Sequence, residues 1–146
     1  MERTALVLVD TGLTAVGSRG NILTPEPGLA LIDGSELSLG SDAERSARIK
    51  PRRVHSRFWQ MLADRPLKRP HPHQLRTADL VHAQLARIWD ATGRDAHEVV
   101  LVLPGLFTGE QLALLLGIAE SIGVPVRGMV DAAVAAAADR ETRRHC

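Results

Sequence analysis

Aromatic residues are almost missing from this chain: tyrosine is absent, and two tryptophans and two phenylalanines bring the aromatic share to 3% of 146 residues. A core must therefore be built from Ala, Val, Leu and Ile, which suits helices laid on a sheet and favours an α/β fold. Cysteine is confined to Cys146, so no internal disulfide can form and a reducing compartment, the cytoplasm, is the expected location. No apolar run approaches the ~20 residues needed to span a bilayer. Met1-Glu2-Arg3 leads directly into an aliphatic segment rather than a secretory or transit leader. Neither sign of charge is in excess: a formal net charge of +1 gives no long-range field for nucleic acid or an anionic membrane, and neither is expected as a partner. What is present is apolar material, 45% of the residues, enough to bury roughly two-thirds of the unfolded surface in one domain without metal or disulfide.

The opening third reads as a β-meander. Thr4 to Val9 is an aliphatic strand ending at the turn Asp10-Thr11-Gly12, a short strand from about Leu13 to Ser18 returns from it, and Leu29-Ala30-Leu31-Ile32 before Asp33-Gly34 reads as the third strand. From Ser41 the character changes. Ser41-Asp42-Ala43-Glu44 has the pattern of a capping box, with a helix from Ala43 to about Ile49 stopped by Pro51 and a second short helix expected from His55 to Ala63. Pro66, Pro70 and Pro72 make the stretch from Asp64 to His73 an exposed connector, and His71 and His73 are read as loop residues, not as a metal pair. Ala78, Val81, Leu85, Ile88 and Trp89 fall on one face of a helix beginning near Thr77. Val99 to Leu103 is a strand without alternation, as expected of one covered on both faces. Thr108 with Gln111 starts another helix that Gly123 ends, Val124 to Val130 is a strand, and Asp131 opens an Ala-rich helix. Phe58 and Trp59 are read as core, whereas Arg48, Lys50, Arg52, Arg53 and Arg57 form a solvated basic face.

An Asp followed by a Gly at a hairpin suits phosphate chemistry, because glycine lets the backbone come close enough for turn amides to donate to phosphate oxygens while the carboxylate holds hydrated magnesium. Several motifs place this turn in a wider pattern. Val9-Asp10-Thr11-Gly12-Leu13-Thr14 resembles the first phosphate loop of actin-type ATPases, commonly hydrophobic-Asp-Leu-Gly-Thr-Thr. The run from Pro27 through Asp33-Gly34 to Leu39-Gly40-Ser41-Asp42-Ala43 is similar to the passage from Pro-Ser through a hairpin to Val-Gly-x-x-Ala in DnaK-type heat-shock chaperones. Val100 to Gln111 resembles the chaperone Val-x-Val-Pro-Ala-x-Phe-x-x-x-Gln, and Asp131-Ala132-Ala133-Val134-Ala135-Ala136-Ala137 stands where that family has Glu-Pro-Thr-Ala-Ala-Ala.

The chain thus resembles the N-terminal lobe of a DnaK-type ATPase of the actin/sugar-kinase superfamily. The resemblance implies a ribonuclease H-like mixed five-stranded sheet, a three-stranded meander followed by parallel βαβ units, flanked by helices and carrying a small helical insertion at about residues 41–73. It implies ATP and Mg2+ as cofactors, with Asp10 as the catalytic and metal-side acid and Thr11, Gly12, Leu13 and Thr14 around the phosphates. Asp131 would align attacking water, although an N-terminal helix residue stabilising first-turn amides explains it equally. The family's phosphate-facing lysine is not matched: its place falls on Trp59, or on Arg57 with a small gap, and an arginine is not a conservative exchange for it. The resemblance implies ATP hydrolysis, here without the family's phosphate-facing lysine. The family's second lobe would come from outside these residues, so the abrupt ending suggests a fragment whose own nucleotide affinity is weak or absent. The whole would use ATP for conformational change on protein clients or with co-chaperones. The alternatives are a non-catalytic protein-interaction module that keeps the fold, and a sugar or acetate kinase lobe.

Overall fold

The computed structural model describes residues 3–63, 75–105 and 107–131. The connector at 64–73 with its histidines, the Ala-rich helix after Asp131, and Cys146 lie outside the described residues. Arg3–Val7 (β1) pairs antiparallel with Thr14–Gly17 (β2), which pairs with the two-residue Gly20–Asn21 (β3). On its other side β1 runs parallel to Glu98–Leu103 (β7), and β7 runs parallel to Val126–Asp131 (β8). The resulting order, β3-β2-β1-β7-β8, is the expected mixed five-stranded sheet.

The third strand of the meander is not the one expected. Leu29–Asp33 (β4) leaves the main sheet and pairs with Glu36–Leu39 (β5) and Val54–Ser56 (β6) in a separate three-stranded sheet. Before it, Pro25 and Pro27 have no amide to donate, and Glu26 between them makes a lone bridge to Leu13 before the chain turns away. The helix expected over 55–63 is likewise replaced. Val54, His55 and Ser56 bond to Leu31, Ala30 and Leu29, and Arg57 then takes a left-handed φ of 58° that breaks the extended run.

Gly40–Ala47 (α1) starts earlier than the capping pattern at Ser41 suggested. Its first-turn amide at Ser41 is met by Glu26 Oε2 at 3.3 Å, not by a side chain of its own segment. Pro51–Arg53 forms one 3-10 turn, so the proline ends α1's course as expected. Thr77–Ala91 (α2) and Gly109–Ile122 (α3) fall where their apolar periodicity put them. In α3 the Thr108–Gln111 capping box is formed, and Gly123 closes the helix at φ 91°.

The core is one cluster of Leu6 and Leu8, Val99 and Leu101, the inward face of α2 with Leu80, Leu85 and Ile88, and Leu115 of α3. Phe58 and Trp59 are buried within it, as their scarcity implied. Along β7 the buried Val99, Leu101 and Leu103 alternate with half-buried Val100 and Val102, so among the described residues one face is covered more fully than the other. No helix among the described residues is long and apolar enough to cross a membrane.

Candidate functional site

Because β1, β7 and β8 are parallel, their carboxyl ends share one edge of the sheet, the edge at which open α/β folds bind ligands. At the end of β1 the Leu8 amide still bonds to Val102, and Gly12 N–H donates to the Val9 carbonyl at 2.9 Å, closing a turn with Asp10 and Thr11 at its centre. The Pro25–Gly28 segment lies against this turn, with the Gly28 amide donating to the Asp10 carbonyl at 2.8 Å. It comes so close that a Cβ on Gly28 would stand 2.7 Å from Asp10 Oδ1 and 3.1 Å from Asp10 Cα.

The Asp10 carboxylate is therefore enclosed. Oδ2 accepts the Gln60 amide at 3.2 Å, while Oδ1 is buried without any hydrogen-bond partner among the described residues. Burial pushes the Asp10 carboxyl above its ordinary range, against the opposing pull of the Gln60 and Trp59 amides and the Arg57 charge. An orphan carboxylate oxygen in a desolvated place is costly unless a cation or water completes it.

The amides facing Asp10 come from a turn at 57–62, where Met61 N–H donates to Arg57 at 2.9 Å and Leu62 N–H to Trp59 at 3.3 Å. Buried Phe58, Trp59 and Leu62 pin this turn into the core. Trp59 Nε1 donates to Gln84 Oε1 at 2.8 Å, and Gln84 Nε2 donates onward to the Pro27 carbonyl at 3.0 Å, tying α2 to both segments that flank Asp10. The two positions considered for the phosphate-facing lysine are thus separated. Trp59 is wholly core, whereas Arg57 is exposed and is the cation whose field reaches Asp10.

Asp131 is the last residue of β8, half-buried, and a Cβ on Gly105 in the β7–α3 connection would lie 3.2 Å from its Oδ2. Beside it opens a mostly apolar cleft of about 270 Å³ lined by Leu103, Pro104, Phe107, Leu112, Met129, Val130 and Asp131. A larger cleft of about 570 Å³ runs along α1 at Ser41, Glu44, Arg45 and Arg48 and is not at the strand ends. Asp10, Thr11 and Gly12 are brought together at the end of β1, with Asp131 two strands away on the same edge. Thr11 is exposed at the turn. The Leu13 amide, by contrast, donates to Glu26 at 2.7 Å, and the buried Thr14 hydroxyl donates to the Leu23 carbonyl at 2.6 Å, so both donors serve the fold.

Four residues that complete the surroundings of Asp10 were not singled out from the sequence: Gly28, Gln60, Gln84 and Gln111. Gln111 stood out as a helix-capping residue and as the last position of the Val100–Gln111 motif, neither of which points to Asp10. Gly28 carried the signal of a Pro-Gly pair, which marks a turn but not a close approach.

No protein-family model matches the sequence, and no curated protein matches it. By structure the chain is similar to MreB5 of Spiroplasma citri, solved bound to ADP, with a TM-score of 0.61 and 16% identity over 89% of this chain. It spans 37% of the MreB5 chain. The described residues have the fold of an actin-like ATPase lobe, with the mixed sheet and flanking helices that the motifs implied.

Proposed function

We propose that this chain is the phosphate-facing lobe of an actin-fold nucleotide-binding protein, and that the whole is a DnaK-like, cytoplasmic, chaperone-like ATPase in which ATP drives a conformational change. The observation that carries the reading is the orphan Oδ1 of Asp10, buried at the carboxyl edge of the sheet behind an exposed turn. The donor chemistry suits magnesium: Asp10 Oδ1 is a hard oxygen that lacks a partner among the described residues. No group of three or more His, Cys, Asp or Glu that could cage a metal exists among the described residues, and magnesium held mainly by water and phosphate needs none. When bound, the ion would neutralise charge on the β- and γ-phosphates. Asp10 would hold the ion, the exposed Thr11 with Gly12 would face the phosphate tail, and Arg57 would supply the positive charge that the resemblance assigns to a lysine. Asp131 orients water from the far side of β7. DnaK-like character is supported by the hairpin of β4 and β5 running into α1 and by the Val100–Gln111 passage. ADP bound to MreB5 supports a nucleotide as ligand.

A second reading is favoured by two observations: the ungapped place of the lysine falls on buried Trp59, and the Leu13 and Thr14 donors are committed to the fold. It is a protein-interaction module that keeps the architecture without hydrolysis. Titration calorimetry with MgATP on the full natural chain, paired with a phosphate-release assay, separates the two. Binding with turnover is expected from the first reading, and absence of binding at millimolar nucleotide removes it.

A further inference from the structure

The turn at 57–62 is held at both ends by side chains from other elements. At its amide end stands the Asp10 carboxylate, accepting from Gln60. At its carbonyl end stands Gln111, whose Nε2 donates to the carbonyls of Gln60 at 3.1 Å and Leu62 at 3.3 Å. The same side chain turns its Oε1 to the Thr108 amide at 3.0 Å, so one amide group both caps α3 and grips the turn.

We propose that Gln111 is a positioning residue for the Asp10 carboxylate, acting through the backbone of Gln60. The Gln60 amide and carbonyl flank one Cα and are related by only two soft dihedrals, so fixing the carbonyl restricts where the amide can point. The Gln60 side chain is exposed and contributes nothing comparable; the residue acts through its main chain. Without the grip of Gln111, the turn is anchored by its buried side chains but its polar backbone can rock, and the amide leaves Asp10. The α3 N-terminus, in the connection beside Asp131, is thereby linked to the carboxylate at the end of β1, across the site edge. The functional importance of this link rests on the reading of Asp10 as the nucleotide-side acid. The link itself does not.

The two duties of Gln111 separate by substitution. Gln111→Glu keeps the acceptor that caps Thr108 but has no donor for the turn, and Gln111→Met lacks both without adding charge. Amide hydrogen exchange of the ligand-free full chain, read by NMR, is expected to show the Gln60 amide exchanging about tenfold faster in both variants, the scale of one bond to a charged acceptor. The amides of α3 beyond its first turn stay as slow as before in Gln111→Glu. In an Asp10→Ala background, where the acceptor is gone, the Gln111→Glu change should add no further acceleration. A Gln60 amide as protected in Gln111→Glu as in the unaltered chain overturns the proposal. So does acceleration in Gln111→Glu but not in Gln111→Met, which assigns the effect to charge, or acceleration shared by the whole of α3, which assigns it to fraying. No nucleotide enters the measurement, so its failure is distinct from a failure to bind MgATP.

Discussion

Replacing Gly28 by alanine tests the geometry around Asp10 more sharply than replacing the acid itself. Gly28 has no positive φ that alanine would resist, so any cost must come from space. The added methyl would stand 2.7 Å from Asp10 Oδ1, 3.1 Å from Asp10 Cα and 3.3 Å from the Asp10 carbonyl oxygen. The carboxylate cannot simply swing aside, because Oδ2 is on the Gln60 amide, and the backbone cannot part without stretching the 2.8 Å bond from the Gly28 amide to the Asp10 carbonyl. Overpacking of this kind costs about 1–3 kcal/mol, and displacing the carboxylate from its amide adds on the order of 1.5 kcal/mol. The expected loss is about 2.5–4.5 kcal/mol, or roughly 5–18 °C in Tm for a domain of this size. Gly12→Ala is the control. A Cβ there would meet only Pro25 Cβ at an ordinary 3.7 Å, again without a positive φ, so stability should change by less than about 0.5 kcal/mol. Urea unfolding of both variants decides the matter. A Gly28→Ala protein as stable as its parent, or a Gly12→Ala protein equally damaged, would refute the close approach. Should Gly12→Ala fold normally yet lose MgATP binding, the glycine serves the ligand and not the chain.

Trp59→Phe removes the indole N–H and leaves the buried Gln84 Oε1 without its donor, so a loss of about 2–4 kcal/mol is expected from the orphaned acceptor and the lost volume together. Urea unfolding measures it, and a double variant with Gln84→Met should cost clearly less than the sum of the singles. Acid behaviour follows from Asp42, whose carboxyl is held below its ordinary value of 3.8 by hydrogen bonds from Arg87 first and Arg45 second. A lowered folded pKa gives stability that is present above 3.8 and is lost as pH falls through the folded value. Arg87→Met should therefore flatten the decline in Tm between pH 4 and pH 2 relative to the parent, with tryptophan fluorescence as the readout; an unchanged slope would show that the pair does not contribute.

Elements whose determinants are local could be read from the residues in order. The stripe from Ala78 to Trp89, the aliphatic run at Val99 and the Thr108–Gln111 box each specify their own conformation within one or two turns of chain, and each stands where it was expected. The failures occur where a partner distant in sequence decides. Leu29 to Ile32 has the alternation and turn chemistry of a meander strand, but a strand's sequence does not name its sheet. Glu36 to Leu39 and Val54 to Ser56 flank it on its two sides, so it becomes the central strand of a second sheet. The 55–63 segment holds helix-compatible residues yet is drawn into extended and turn geometry by that same pairing.

The site divides along the same line. Asp10 beside Gly12 announces itself, since a carboxylate and a glycine in a strand-ending turn need no tertiary information. What gives Asp10 its character does. Its enclosing glycine arrives from the segment after a lone bridge to Leu13, its amide partner lies on the 57–62 turn, and that turn is gripped by the first turn of α3. Each of these residues has an innocent local role: Gly28 in a Pro-Gly pair, Gln60 on the surface, Gln111 in a capping box. Only in the folded chain does Gly28 pack against the Asp10 carboxylate, the Gln60 amide donate to it, and Gln111 hold the Gln60 carbonyl. Gly28 and Gln60 are set by space and backbone polarity, which leave no pattern along the chain. Gly28 is the clearest case, because its requirement is the absence of a single carbon atom.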